Sequence, residues 1–136
     1  MATPLSDKAL AFLNEKHFAV LNTINKDGTS QLTNMWYLLD DDGTIVMNTQ
    51  VHLQKVKNIR RDPRIAICIA DGPRYVSING TVAMIEDQAI IRRDLDHLIR
   101  RYIEDEQTRQ RYTAIFTQQH RVALHLACEK VNEYFA

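Results

Sequence analysis

The sequence predicts a mainly β fold, an antiparallel barrel of six or seven strands with helices inserted between them. Three observations carry the prediction. Short runs of alternating apolar and polar residues recur along the chain, as they do where successive side chains of a strand face opposite sides of a sheet. Asp-Gly pairs at 27–28, 42–43 and 71–72 punctuate these runs, and that dipeptide marks tight hairpins because glycine accepts a left-handed backbone. Helical periodicity is confined to a start segment, to residues 52–61 and to residues 86–119. At 136 residues and 15.8 kDa, the chain is expected to form one domain over residues 1–136, with one core that buries about two-thirds of the unfolded surface.

The elements follow in order. Ser6-Asp7 caps a helix whose stripe is Ala9, Leu10, Phe12 and Leu13. Phe18 to Ile24 reads as a buried strand, Asn25-Lys26-Asp27-Gly28 as its turn, and Ser30 to Leu39 as one central strand. Along that strand Leu32, Asn34, Trp36 and Leu38 point one way, and Gln31, Thr33, Met35 and Tyr37 the other. Asp40 to Gly43 turns into Thr44–Thr49, which makes the first three strands a meander. A helix from His52 ends at Asp62-Pro63, and strands at 64–70 and 75–85 follow, with Gly80 marking a bulge or barrel corner. A long helical stretch breaks near Glu104-Asp105, Arg121–Cys128 forms a last strand, and Lys130 to Phe135 a short tail.

Composition narrows the function. Seventeen Lys and Arg balance seventeen Asp and Glu, so no global field draws the chain to nucleic acid or an anionic membrane. No apolar run approaches 18 residues and the N-terminus lacks a basic start followed by an apolar stretch, so a soluble, cytoplasmic protein is expected. GxGxxG, P-loop, HExxH and GxSxG motifs are all missing. The five histidines lack metal-ligand spacing, and no metal site is expected. Cys68 and Cys128 sit within apolar alternation and read as buried thiols.

Two segments are candidates for chemistry. Lys55-Val56-Lys57-Asn58-Ile59-Arg60-Arg61 is a basic helix start directly after a strand, where unpaired backbone N–H groups and cationic side chains together suit a phosphate. A solvated face balancing Asp62 and the acidic turn at 40–42 is the alternative. Gln31 to Tyr37 alternates amides and hydroxyls with large apolar groups, a surface suited to a ring system with polar edges. Ordinary packing of Trp36 and Tyr37 in a core or subunit interface is the alternative there.

In their order and spacing, Phe18–Thr23, Asp27–Asn34 and Lys55–Arg64 resemble the pyridoxamine 5′-phosphate oxidase-like split-barrel flavoproteins. The resemblance covers roughly residues 8 to 126, and the segment through Asn58-Ile59-Arg60-Arg61-Asp62-Pro63-Arg64 is similar to the branch that uses the deazaflavin coenzyme F420. It implies an FMN-binding type of split barrel, a homodimer, and a cofactor bound at the subunit interface. Lys55, Lys57 and Asn58 inherit the phosphate role, and Arg60, Arg61 and Arg64 are expected to hold the carboxylate tail of the deazaflavin; Gln31, Thr33, Asn34, Trp36, Tyr37 and Asn48 inherit contacts to the cofactor. Relatives often carry an arginine two positions before the lysine, and here that position is Leu53.

The function so implied is an oxidoreductase that passes hydride between coenzyme F420 and a small conjugated substrate. Alternatives are an FMN-binding flavin reductase or pyridoxamine-phosphate-oxidase-like protein, and a non-catalytic cofactor carrier. No side chain stands out as nucleophile or general base, in keeping with chemistry carried by the cofactor.

Overall fold

The computed structural model describes residues 4–136. Its elements are α1 (Asp7–Asn14), β1 (Ala19–Ile24), β2 (Ser30–Met35), β3 (Leu38–Leu39), β4 (Ile45–Gln50), α2 (Gln54–Arg61), β5 (Arg64–Asp71), β6 (Arg74–Ile85), α3 (Gln88–Tyr102), α4 (Glu106–Thr117) and β7 (Arg121–Tyr134). The seven strands form one antiparallel sheet in the order β2-β1-β5-β6-β7-β4-β3. This is the mainly β split barrel that the sequence predicts.

β2 and β3 lie at opposite edges of that order, yet only Trp36 and Tyr37 separate them in the chain. Three Cα steps of about 3.8 Å span little more than ~11 Å. The sheet must therefore curl until its two edges stand side by side. The single strand expected from Ser30 to Leu39 is thus broken, and β2 is an edge strand rather than a central one. Nor do the first strands form a meander, since β4 pairs with β3 and β7 and never meets β2.

The break has a specific support. At the junction the Tyr102 hydroxyl accepts from the Tyr37 N–H at 3.1 Å and lies 3.0 Å from the Tyr37 carbonyl. One side chain thereby accepts from an amide that an unbroken ladder would have paired, while its single proton faces the His17 carbonyl at 2.5 Å as well as that of Tyr37. Tyr37 itself is fully buried and donates its phenol to the Leu13 carbonyl at 2.9 Å.

Alternation decides what fills the barrel. Leu21, Ile45, Met47, Ile67, Ile78, Leu124 and Leu126 form the core, and α1 closes one end with Phe12 and Leu13. Ser6 caps α1 by accepting from the Ala9 N–H at 3.0 Å. The opposite face of β4 and β7 is covered by α3, whose Ile91 and Leu95 pack on Ala123. Beneath α3, Asp94 is 3% exposed and meets His125 Nε2 at 2.6 Å. α4 packs beside α3 without burying any residue fully.

Both acidic turns use the same device. Asn25 and Thr29, like Asp40 and Thr44, close three-residue loops whose last residue is Gly28 (φ 90°) or Gly43 (φ 87°), the left-handed position that glycine accepts without strain. Gly80 marks a bulge, as expected: the β6/β7 register shifts between Asn79 and Gly80, and Glu129 is the unpaired extra residue. β7 then continues to Tyr134, opposite Tyr75, so the expected tail is strand. Cys68 is exposed rather than buried, because it falls on the side of β5 that also exposes Arg64 and Ala70, while Ile65, Ile67 and Ile69 face the core; Cys128 is half-buried, and both thiols are free.

Replacing Tyr102 by Phe leaves the buried Tyr37 amide without its acceptor. The variant should lose about 1–3 kcal/mol of stability in denaturant unfolding, and an unchanged midpoint would show that the junction holds without the hydroxyl.

Candidate functional site

A cavity of about 240 Å³ opens where the β2/β3 break, the end of β4, the first turn of α2 and the first residue of β7 converge. Of the residues singled out in the sequence it gathers Asn34, Trp36, Asn48 and Lys55. To these it adds Met35, Thr49 and Arg121 from the strands, and Leu98, Tyr112 and Phe116 from the helices above.

Local sequence explains how Lys55 comes to be inside. α2 buries Lys55, Val56, Asn58 and Ile59 along one side, so the lysine of its first turn shares the face of two aliphatic residues. Lys55 is 8% exposed, and its Nζ lies 3.4 Å from the Met35 sulfur. Arg121 reaches the same space from the sheet. Asn48 lies diagonally across the β4/β7 ladder from it, two residues from its partner Gln50, near enough for side chains to meet. Arg121 Nε donates to Asn48 Oδ1 at 2.9 Å and Nη1 to Gln119 Oε1 at 2.5 Å, while its guanidinium lies 4.4 Å from the Phe116 ring centre.

No carboxylate pairs with Lys55 or Arg121 among the described residues. Burial pushes Arg121 down to about 10, and burial first, then the charge of Arg121, pushes Lys55 below the ordinary lysine value. Asn48 is 7% exposed and its Nδ2 has no partner. The cavity thus presents two cations and an unused amide N–H. A phosphate, with several acceptor oxygens and a negative charge, satisfies all three at once. The donor set fits the phosphate of a flavin or deazaflavin.

Aromatic groups complete the wall. Trp36 stacks on Tyr102 with ring centres 5.0 Å apart and planes 9° apart, and Tyr112 tilts against it at 5.7 Å. The lining is flat and apolar on one side and cationic on the other.

The remaining candidates lie elsewhere. Gln31 and Thr33 sit farther along β2, opposite Thr23 and Leu21, and are half-buried. Tyr37 packs under the Arg101 guanidinium, and burial holds its phenol well above the ordinary range. Asn58 is fully buried and donates to Thr23 Oγ1 at 3.1 Å and Asn25 Oδ1 at 2.9 Å, tying α2 to the β1–β2 hairpin. Arg61 bonds the Ile24 carbonyl and Arg60 meets Glu86 at 3.3 Å, while Lys57 is exposed. Arg64 pairs with Asp62 at 2.9 Å. Sequence reading missed Arg121, Tyr112 and Phe116: the arginine opens an ordinary alternating strand, and the two aromatics sit on a helix without a clear apolar stripe.

Comparison with known proteins bears on this geometry. A biliverdin reductase of Mycobacterium tuberculosis that depends on reduced F420 is 33% identical over 91 residues, covering 66% of this chain and 66% of the relative, just under two thirds of each. A crystal structure of a conserved hypothetical protein from the same organism superposes with a TM-score of 0.82 at 26% identity, covering 97% of this chain and 86% of the other. A structure described as an F420 reductase superposes with a TM-score of 0.70 at 23% identity, covering 90% of this chain and 94% of the other, and so shares the fold. Residues 5–134 match the family described as pyridoxamine 5′-phosphate oxidase, and with its curled seven-stranded sheet the chain belongs to that family.

Proposed function

We propose that the chain is an oxidoreductase that binds coenzyme F420 and serves hydride transfer to a small conjugated substrate. The observation that carries the reading is the cation pair of buried Lys55 and half-buried Arg121, without a carboxylate partner among the described residues and beside an unused Asn48 amide. Charges in such a place cost stability, and an anionic ligand offsets that cost. The similarity to an F420-dependent biliverdin reductase supports the deazaflavin.

Lys55, Arg121 and Asn48 would hold the phosphate, and Trp36 with Phe116 would shield it from water. When bound, the cofactor supplies the hydride chemistry. A cavity of about 240 Å³ lies below the roughly 300–1,000 Å³ that enclose a whole small ligand, so it would take one end of the cofactor. The rest would lie against a second copy of the chain. A homodimer accords with the outer sheet face, where Leu32 is 64% and Val20 43% exposed, an apolar surface that a two-fold partner would cover.

A second reading keeps FMN. Arg60, Arg61 and Arg64, which would hold the carboxylate tail of a deazaflavin, are engaged with Glu86, the Ile24 carbonyl and Asp62. FMN needs the phosphate pocket and no tail site.

Lys55→Met should raise the stability of the phosphate-free protein at neutral pH by roughly 1 kcal/mol, about 3–4 °C in unfolding temperature, and should abolish the stabilisation that added phosphate gives the wild type. In the wild type the unfolded chain keeps the Lys55 proton to higher pH than the folded one. Phosphate-free stability should therefore rise with pH between the lowered lysine value and the ordinary 10.5, and the variant should lose that slope. A destabilised variant that still responds to phosphate would remove Lys55 from the site.

Fluorescence titrations should give tighter binding for coenzyme F420 than for FMN, by about tenfold or more; tighter FMN binding selects the second reading. Sedimentation with and without cofactor should show a dimer at micromolar concentration, and a stable monomer in both would refute the shared site.

A further inference from the structure

A second cavity, larger than the phosphate pocket, adjoins it. It lies between α3 and α4, measures about 340 Å³, and shares Leu95, Phe116 and Arg121 with its smaller neighbour. We propose that this cavity is a second binding site, for a small aromatic carboxylate of one or two rings, and that its occupancy weakens anion binding at Lys55 because both anions use Arg121.

Volume and lining select that chemistry. The space falls in the range that encloses a small organic ligand. Ile91, Leu95 and Ile99 form an aliphatic floor against which Phe116 stands as an aromatic wall. Two threonines of α4 add apolar surface, since Thr113 donates its hydroxyl to the Arg109 carbonyl at 2.9 Å and Thr117 to the Thr113 carbonyl at 2.6 Å. With the hydroxyl protons held inside the helix, the methyl groups remain for contact. The core beneath is small, comprising Ile91, Leu95 and Ala123, and α4 buries no residue fully. A flat ring would fill the space that α4 leaves above α3.

Charge selects an acid. Arg92 and Arg121 both reach the cavity, and among the described residues Arg92 has no carboxylate partner. The one acidic lining group, Asp96, is paired with Arg100 at 3.1 Å. The net field in the cavity is positive, as a carboxylate requires.

Arg121 makes the two sites communicate. Its guanidinium is held by the amide oxygens of Asn48 on one side and Gln119 on the other, and Gln119 lines the larger cavity. An anion on either side draws on the same donors, and two anions about one cation repel. Coupling between sites is reciprocal, so each ligand weakens the other by the same factor. The proposal rests on the position of Arg121 and not on which cofactor the protein carries.

Calorimetric titration of the full chain with 1-naphthoate, and with neutral 1-naphthalenemethanol as the isostere, tests it. Naphthoate should saturate one site per chain with a dissociation constant on the order of 0.1 mM, at least tenfold tighter than the alcohol. Arg92→Gln should remove most of that difference by weakening naphthoate alone. Thr117→Trp, which fills the cavity from an exposed helix position, should abolish naphthoate binding and leave inorganic phosphate binding unchanged within twofold. Circular dichroism checks its fold, and Thr113→Trp serves if it misfolds. Saturating phosphate should weaken naphthoate by roughly three- to tenfold, and naphthoate should weaken phosphate equally. Absence of saturable binding, equal binding of acid and alcohol, or binding that survives the tryptophan would overturn the site; independence from phosphate would overturn the coupling. Failure of phosphate itself to bind while naphthoate binds would instead count against the cofactor reading.

Discussion

The fold turns on how two residues, Trp36 and Tyr37, carry the chain from one edge of the sheet to the other. A barrel closed by pairing needs no such bridge; here the backbone crosses the seam, and Tyr102 supplies the acceptor that the Tyr37 amide loses in the crossing. Tyr102 ends α3, so closure of the barrel and docking of that helix are one event. The side chains at the crossing divide accordingly. Tyr37 goes into the core and ties down α1 through Leu13, while Trp36 turns outward to stack on Tyr102 and line the smaller cavity.

Everything that faces the cavity is placed by that crossing. α2 presents Lys55 to the gap because Asn58, one turn later, is fixed by Thr23 and Asn25 in the hairpin before the seam. β7 presents Arg121 from the far side because it pairs with β4, the partner of the short strand β3 just after the seam. Two cations from opposite lips of one opening line the same partly buried cavity. Their mutual repulsion is tolerable in a binding site and costly anywhere else, which is why the pair, and not the basic surface of α2, points to a ligand.

Much of the architecture was legible in the sequence, and what escaped had physical causes. Both hairpin loops, the Ser6 cap, the bulge at Gly80 and the division of the late helical stretch into α3 and α4 follow from local chemistry, and the structure has them where local signals put them. Strand order escaped, because continuous alternation from Ser30 to Leu39 does not reveal that Tyr102, 65 residues past Tyr37, breaks it. The end of β7 escaped because the extra residue Glu129 shifts the phase: Leu124 and Leu126 face inward before it, and Val131 packs on the core after it. Within the smaller cavity, Asn34, Trp36 and Lys55 were marked by residue chemistry as well as by family resemblance and Asn48 by the resemblance, whereas Arg121 carried no local signal. Its role depends on a strand pairing with a segment 73 residues away.

The same bulge governs the polarity of the site. A β-carbon at position 80 would stand 1.9 Å from the Ala127 carbonyl oxygen, so the close approach of β6 and β7 admits hydrogen alone and locks the phase of β7. Side chains of a strand exchange faces with every residue of slip. A slip of one residue would send Arg121 toward the core and bring Val122 to the cavity wall, turning a cationic lining into a hydrocarbon one. Position 80, remote from every ligand considered, therefore acts as a ratchet pawl that decides whether the site carries a charge at all.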